Sequence, residues 1–454
     1  MDAATEGLLG WPRGTLRVLR EAFQLKLPRQ TGWMDPPKGS TVTSLGVEGA
    51  QDLHEEVSRQ SRLASPIEAA ARVYKRGVAY GRSGASADES RTLTGDYEIP
   101  LLSESASPIQ TADQLWTVVD GRVAQVWPQM FSHVSLYVMT LNEHTKSLES
   151  VGAILKAWRD RGQPRRWQIV GGGLLSDVAA FAAALVGAQF DLVPTTLLAM
   201  VDACVGGKTG VNFPPFGKNQ IGAWAFPQEV RVWSPWLSTL PERELRAGAV
   251  EALKHAFLLG DLHLAQNLTI YTETKAAQSM EALLEPLIRC KATIVERDPA
   301  EEGERAVLNL GHTLGHGLEA YALEASQDDY ALLHGEAVAF GLVYALLLSE
   351  RVAGLSAKAR GEMTSLVHQV AGCLNRATLV QALGEPDLTA HHVFDRLLHF
   401  MGMDKKNIQG AETRWVLLSG LGEVYRDGGA WTTPVPSPIL REVWTHLVAS
   451  LPGT

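Results

Sequence analysis

Cysteine is scarce in this sequence: three residues, Cys204, Cys290 and Cys373, among 454. So few cannot build a disulfide framework, and their spacing matches no zinc knuckle, so a reducing cytoplasm is the expected location. Long apolar runs are missing too. None approaches the ~20 residues needed to span a bilayer, so no membrane partner is expected. The opening residues, Met-Asp-Ala-Ala-Thr-Glu, hold neither a basic n-region nor an apolar h-region, which predicts no secretory signal. Nor is there an excess of positive charge. The formal net charge of −9 gives no electrostatic case for a nucleic-acid partner. Apolar residues, by contrast, are plentiful: 45% of the chain is hydrophobic, enough for two or more cores.

Residues 1–95 read as an N-terminal extension of unassigned role. Helices are expected over 11–27 and 67–80, loops over 36–40 and 81–86, and no catalytic constellation is evident. Residues 96–235 have a different texture. Short apolar strands are expected at 97–101, 114–120, 134–139, 167–170 and 190–194, with helices at 146–159 and from Asp177 onward. Alternating strands and helices predict a parallel α/β sheet of nucleotide-binding topology. Residues 236–454 read as mostly α-helical, with helices at 242–258, 279–296 and 336–353, the last stopped by Gly354. A strand at 414–418 and a closing helix at 439–449 complete this second domain.

Several stretches hold residues suited to chemistry. Arg305, Asn309, His312 and His316 recur at helical spacing, so one helix would place all four on one face. Two histidines four residues apart are also a common way for a helix to offer metal ligands. Gly171-Gly172-Gly173 follows a strand and precedes a helix, as in loops whose amides approach a pyrophosphate. Gly206-Gly207-Lys208-Thr209 invites a P-loop reading, but Asp202 stands where the motif needs its first glycine, so nucleoside triphosphatase chemistry is rejected. Asp202, Lys208, Lys218 and Asn219 together suit the lining of a polar pocket for an anionic substrate. Glu251 and Lys254 lie three apart among apolar neighbours, so the carboxylate is expected to face inward and need a cation or metal. His334 precedes a helix. One glutamate and two histidines satisfy a catalytic zinc site, and spacing alone does not say which histidine of the 312/316 pair takes part.

The chain resembles the 3-dehydroquinate synthase family of sugar-phosphate cyclases. The matching stretches are Gly171–Asp177, Pro194–Lys208, Gly217–Gly222, 240–245, Glu251–Lys254, Arg305–His316, His334–Glu336 and 404–406, in family order over roughly four-fifths of the chain. The resemblance implies an α/β N-terminal nucleotide-binding domain holding NAD, followed by a mostly α-helical metal-binding domain holding a divalent metal, zinc or cobalt. Carried over by position, Glu251, His312 and His334 are the implied metal ligands. Asp120, Glu143, Lys146, Gly172, Gly173, Asp177, Thr195, Thr196, Lys208, Lys218 and Thr239 are the implied NAD contacts. Asp202, Lys208, Asn219, Lys254, Lys291, Arg305, Asn309, His316 and Lys406 are implied to serve substrate and catalysis, His316 in proton transfer. The implied reaction converts 3-deoxy-arabino-heptulosonate 7-phosphate to 3-dehydroquinate and phosphate through transient oxidation, elimination, reduction and aldol closure. The implied partners are a small sugar phosphate and a second copy of the chain, as a homodimer.

Three departures from the family pattern stand out. Val186 and Gln189 occupy positions where the family usually carries arginines, one of them a phosphate contact. Ser176 replaces the glycine before Asp177. The turn over 212–217 is one residue longer, which could re-aim Lys218 and Asn219. Another sugar-phosphate cyclase, a polyol dehydrogenase of similar fold and a non-catalytic relative are the alternative readings.

Overall fold

The computed structural model describes residues 98–112, 115–213, 218–274, 280–326, 331–403 and 413–453. The expected helices over 11–27 and 67–80, and the lysines at 405 and 406, lie outside the described residues. The described chain forms two compact units. One holds the described residues up to Pro194 with Gly207–Trp233; the other holds Thr195–Gly206 with Ser234 onward. Thr195–Gly206 thus groups with the helical unit, although by sequence it lies within 96–235.

The first unit is built on a parallel four-stranded sheet. Its strands are β2 (Leu115–Asp120), β3 (Leu136–Met139), β4 (Arg166–Gly171) and β5 (Gln189–Pro194), in the order β3-β2-β4-β5. A short β1 (Leu101–Leu102) pairs in parallel with β8 (Val232–Trp233). The hairpin of β6 (Lys208–Val211) and β7 (Ile221–Trp224) is antiparallel. Val118, Val119, Ile169 and Val170 are fully buried, the continuous apolar signature of a sheet covered on both faces. Asp120 ends β2 and accepts from Arg122 N–H at 2.9 Å, capping the short helix α1 (Gly121–Val126). Helix α2 runs Leu148–Asp160 and starts two residues later than expected, because an Asn142–Thr145 turn holds the chain before it. Lys146 therefore lies in that loop. Helix α3 (Gly173–Val186) follows β4 directly, and Gly187 ends it with φ 67°. Val186 is buried near the end of α3, while Gln189 is exposed at the start of β5.

The second unit is helical: α4 (Glu242–Leu259), α5 (Leu262–Thr274), α6 (Met280–Arg297), α7 (His312–Ala325), α8 (His334–Leu348), α9 (Ala357–Ala371), α10 (Arg376–Leu383), α11 (His391–Met403) and α12 (Ser437–Ser450). After its first residue α8 is buried on every side, the mark of a central helix. It continues into a π-turn, Ser349–Ala353, and Gly354 stops it at φ 79°, as the sequence predicts. The expected strand over 414–418 is two short ones, β9 (Thr413–Trp415) and β10 (Leu418–Gly420). They pair antiparallel with different partners, β9 with β12 (Thr433–Val435) and β10 with β11 (Glu423–Val424), which is why the run divides.

One expectation is corrected here. Residues 305–316 are not one helix. Glu304–Asn309 forms a 3-10 turn, Gly311 takes φ 79°, and the α-helix begins only at His312. A left-handed residue breaks the helical register, so Arg305 and Asn309 do not share the α7 face with His312 and His316. Gly311 is also tightly packed: a Cβ there would stand 2.9 Å from Leu342 N. Gly311→Ala is expected to cost about 1–3 kcal/mol through backbone strain alone. A shift of the urea midpoint at unchanged slope is the measurement.

Candidate metal and cofactor sites

In the helical unit the sequence places Glu251 on the third turn of α4, with Lys254 one turn later. Glu251 is fully buried, and Lys254 Nζ stands 2.5 Å from its Oε2. Its Oε1 faces His312 Nε2 at 3.3 Å and His334 Nε2 at 3.4 Å. Although these groups are close, neither carboxylate oxygen of Glu251 accepts an aligned hydrogen bond. Burial disfavours its charge, but Lys254, His312 and His334 together hold its pKa well below the usual carboxylate range.

The two histidines show why the contacts are misaligned. His312 Nδ1 lies 3.1 Å from Leu310 O, and His334 Nδ1 lies 3.0 Å from Glu319 Oε2. A ring that donates from Nδ1 to such acceptors turns the lone pair of Nε2 inward. With both rings neutral the two Nε2 lone pairs point at the same carboxylate oxygen, an arrangement that repels unless a proton or a metal cation lies between them. The spacing suits one. With metal–ligand bonds of about 2.0–2.1 Å, a tetrahedral ion sets neighbouring ligand atoms roughly 3.3 Å apart. Glu251, His312 and His334 therefore fit a divalent metal by geometry and by donor chemistry. In the absence of an ion, burial works against a charged His334, but Glu319 and Glu251 outweigh it and lift its pKa to about 10. Burial and Lys254 push His312 the other way. His316 packs beside both rings, with centroids 5.3 Å from His312 and 6.0 Å from His334. His316 is half-buried.

A second charged group lies alongside. Asp202 sits in a π-turn, Ala199–Ala203, a distortion frequent at functional sites. Lys291 Nζ donates to Asp202 O at 2.5 Å and to Oδ1 at 2.8 Å. Lys254 Nζ is 3.9 Å from the same Oδ1. Burial opposes the Asp202 charge, yet Lys291 and Lys254 hold its pKa below the carboxylate range. Burial pulls Lys291 down, partly offset by Asp202. His255 is fully buried nearby, and burial drives its pKa to about 3, so it is neutral. Asp202, Glu251 and His255 could also converge on an ion, but Lys291 Nζ already stands 2.8 Å from the Asp202 oxygen.

Arg305 is buried and directs its guanidinium to Pro299 O at 3.0 Å and Gly206 O at 2.8 Å. Asn309 Nδ2 donates to Ala306 O at 3.0 Å and reaches Glu301 Oε1 at 3.4 Å. Thr195, Thr196 and Thr239 also belong to the helical unit. Thr196 Oγ1 accepts from Ala199 N–H at 3.1 Å, ahead of the π-turn.

In the strand-rich unit Gly172 caps the start of α3 without a side-chain hydrogen bond, and the first turn carries no acid. That leaves amides and a positive dipole end for an anion. Gly171 is required by close packing, since a Cβ would lie 2.9 Å from Leu175 Cδ2 and 3.3 Å from Asp120 Cβ. A polar network stands near the same helix. Buried Lys146 Nζ donates to Asp177 Oδ2 and Asn219 Oδ1, each at 2.5 Å. Lys218 Nζ is 3.4 Å from Glu143 Oε1. Asn212 joins the two halves, donating to Glu143 Oε2 at 3.0 Å and accepting from Asn219 N–H at 2.9 Å. Asn219 holds φ 52°, a left-handed conformation asparagine tolerates. The structure thus brings Glu143, Lys146, Asp177, Lys218 and Asn219 together, with Asp120, Gly172 and Gly173 at carboxyl ends of the same sheet. Lys208 begins β6, exposed, its Nζ 5.6 Å from the Trp224 ring centroid.

Three residues that sequence reasoning missed belong to these clusters: Asn212, His255 and Glu319. Two had a readable signal, since His255 lies four residues after Glu251 and Glu319 seven after His312, each on the helical face of a candidate ligand.

The chain has relatives among known proteins. The family model described as 3-dehydroquinate synthase N-terminal matches residues 136–247, and the one described as 3-dehydroquinate synthase C-terminal matches 248–407. The chain is 36% identical over 338 residues to the 3-dehydroquinate synthase of Xylella fastidiosa (strain M23), covering 73% of this chain and 85% of that one. It is 38% identical over 345 residues to that of Acidithiobacillus ferrooxidans (strain ATCC 53993 / BNL-5-31), covering 72% and 89%. Among solved structures, a 2-deoxy-scyllo-inosose synthase complexed with carbaglucose-6-phosphate, NAD+ and Co2+ has a TM-score of 0.61 at 23% identity, covering 78% of this chain and 92% of that one. A 2-epi-5-epi-valiolone synthase from Streptomyces hygroscopicus subsp. jinggangensis 5008 with NAD+ and Zn2+ bound also has a TM-score of 0.61 at 23% identity, covering 81% and 99%. The likeness to these two structures concerns the fold. No described helix is long and apolar enough to cross a membrane.

Proposed function

We propose that this chain, which belongs to the 3-dehydroquinate synthase family, works on its sugar phosphate through Glu251, His312 and His334 as metal ligands. The activity is that of a lyase converting 3-deoxy-arabino-heptulosonate 7-phosphate to 3-dehydroquinate and phosphate. The observation that carries the ligand assignment is the pair of Nε2 atoms at 3.3 and 3.4 Å from one buried carboxylate oxygen. When bound, NAD removes and returns one hydride while a divalent ion, zinc or cobalt, acidifies the hydroxyl it holds.

The chain's own residues do the rest. Lys146 is held by Asp177 and Asn219, and together with Asp120, Glu143, Lys218, Gly172 and Gly173 it binds the dinucleotide in the strand-rich unit. In the helical unit Lys254 stands beside Glu251 and Lys291 donates to Asp202, and their remaining N–H groups bind anionic oxygens of the substrate. His316 stands beside the ligand rings without being needed as a ligand, and it passes the proton of the substrate hydroxyl. Arg305 and Asn309 shape the loop before α7 and offer it further donors. The roles of Thr195, Thr196, Thr239 and Lys208 follow the family resemblance, as does a homodimeric state, and a cytoplasmic location follows the sparing use of cysteine.

The test is direct. Purified full chain is incubated with NAD, zinc and the heptulosonate phosphate, and phosphate and 3-dehydroquinate are measured. Stoichiometric release of both without an added redox substrate is expected. NADH accumulating from a simple polyol, with no phosphate released, would overturn the reading in favour of a dehydrogenase.

A further inference from the structure

We propose that Glu319 is a positioning residue that fixes the imidazole of His334 for metal binding, an inference that rests on the ligand assignment above. Glu319 lies on α7, seven residues after His312, and is 4% exposed. A carboxylate so buried needs a compensating partner, and it has one: its Oε2 lies 3.0 Å from His334 Nδ1. Helix α7 thus supplies one ligand directly and holds a second through Glu319.

His334 is the ligand that most needs holding. It is the first residue of α8, and its side chain is 30% exposed, whereas those of His312 and Glu251 are 9% and 0% exposed. A partly exposed ring at a helix start is free to turn unless something fixes it. The anchors also differ in kind. His312 leans on a neutral carbonyl, Leu310 O, at 3.1 Å. His334 leans on a carboxylate, whose charge-assisted hydrogen bond raises the electron density at Nε2 as well as fixing its direction. The backbone helps from the other side. Glu336 Oε2 accepts from Leu333 N–H at 2.8 Å, and Arg243 clamps the same carboxylate at 2.6 and 2.7 Å. The start of α8 is therefore set by Glu336 and the ring direction by Glu319.

Glu319 could instead be a ligand, since its oxygen groups with nitrogens of His316 and His334 within 4.8 Å. The 3.0 Å contact to Nδ1 favours the anchor, and metal counting separates the two roles. Cobalt is titrated into the full chain as wild type, Glu319→Gln, Glu319→Ala and His334→Ala. Stoichiometry, affinity by chelator competition and the visible cobalt spectrum are recorded. One ion per wild-type chain is expected. Glu319→Ala should weaken cobalt binding about 10- to 100-fold and alter the spectrum, with Glu319→Gln, which keeps an acceptor and loses the charge, falling between. Two ions in wild type and one in Glu319→Ala would overturn the anchor in favour of a ligand. Wild-type affinity and spectrum in Glu319→Ala would overturn it outright; should that variant not fold, the same result in Glu319→Gln does so. His334→Ala separates this from the ligand assignment: cobalt bound there with wild-type affinity sinks the assignment itself.

Discussion

His312→Ala should yield protein that carries no tightly bound metal and shows no measurable turnover, whereas His316→Ala should keep its metal and lose turnover. The two rings are adjacent on α7, 5.3 Å apart, yet their surroundings differ. His312 is buried, and its Nε2 is 3.3 Å from the Glu251 oxygen that also faces His334. Removing it leaves two protein ligands, too few for a zinc site that normally uses three and an open position. His316 is half-buried beside the cluster, where it can exchange protons, and loss of a general acid–base group typically costs 10²–10⁴-fold, roughly. Elemental analysis after exhaustive dialysis, paired with phosphate release, reads both effects. Metal retained by His312→Ala would remove it from the ligand set, and metal lost from His316→Ala would add that residue to it.

Lys254→Met is the second large effect. Lys254 is 1% exposed and stands 2.5 Å from a carboxylate that is 0% exposed. Methionine fills similar volume without charge, so Glu251 keeps its burial and loses its cation. Breaking a buried pair from one side costs about 3–5 kcal/mol. The loss should appear in full after chelation and shrink when zinc or cobalt is added, because the ion supplies positive charge to the same carboxylate. Turnover should fall in both states, since an anion-binding ammonium has gone. Urea denaturation with and without metal measures the first effect. Equal destabilisation in both conditions would show that Lys254 and the metal do not share Glu251.

Much of this architecture was legible in the chain. The apolar run at 167–170 placed β4, and the glycines after it marked the strand-to-helix turn, because buried parallel strands and glycine turns have distinctive composition; α3 nevertheless begins at Gly173, four residues before the expected Asp177. Glu251 was expected to face inward from the apolar character of its neighbours on α4, and it does. The break at Gly311 was not legible. The histidine period reads smoothly through Asn-Leu-Gly-His, and a positive φ leaves no trace in spacing; only the packing of Leu342 against that glycine reveals it. Glu319 shares a helical face with His312, but its burial was not legible. A lone glutamate in an amphipathic helix ordinarily faces water, and its burial depends on His334 arriving from another helix. Asn212 joins Glu143 to Asn219 across a turn, a contact that no local pattern encodes.

The glycines between α7 and α8 bear on how the metal can be exchanged. A Cβ on Gly341 would lie 1.8 Å from Gly311 O, and one on Gly315 would lie 3.3 Å from Val338 Cα. On α8, a Cβ on Gly335 would lie 2.0 Å from Ala247 O of α4. These backbones touch almost directly, so the three helices that carry Glu251, His312 and His334 are located by their own packing. A site assembled in this way does not need its ion in order to exist. Chelation should therefore empty it without unfolding the protein, and zinc should be replaceable by cobalt in the native state.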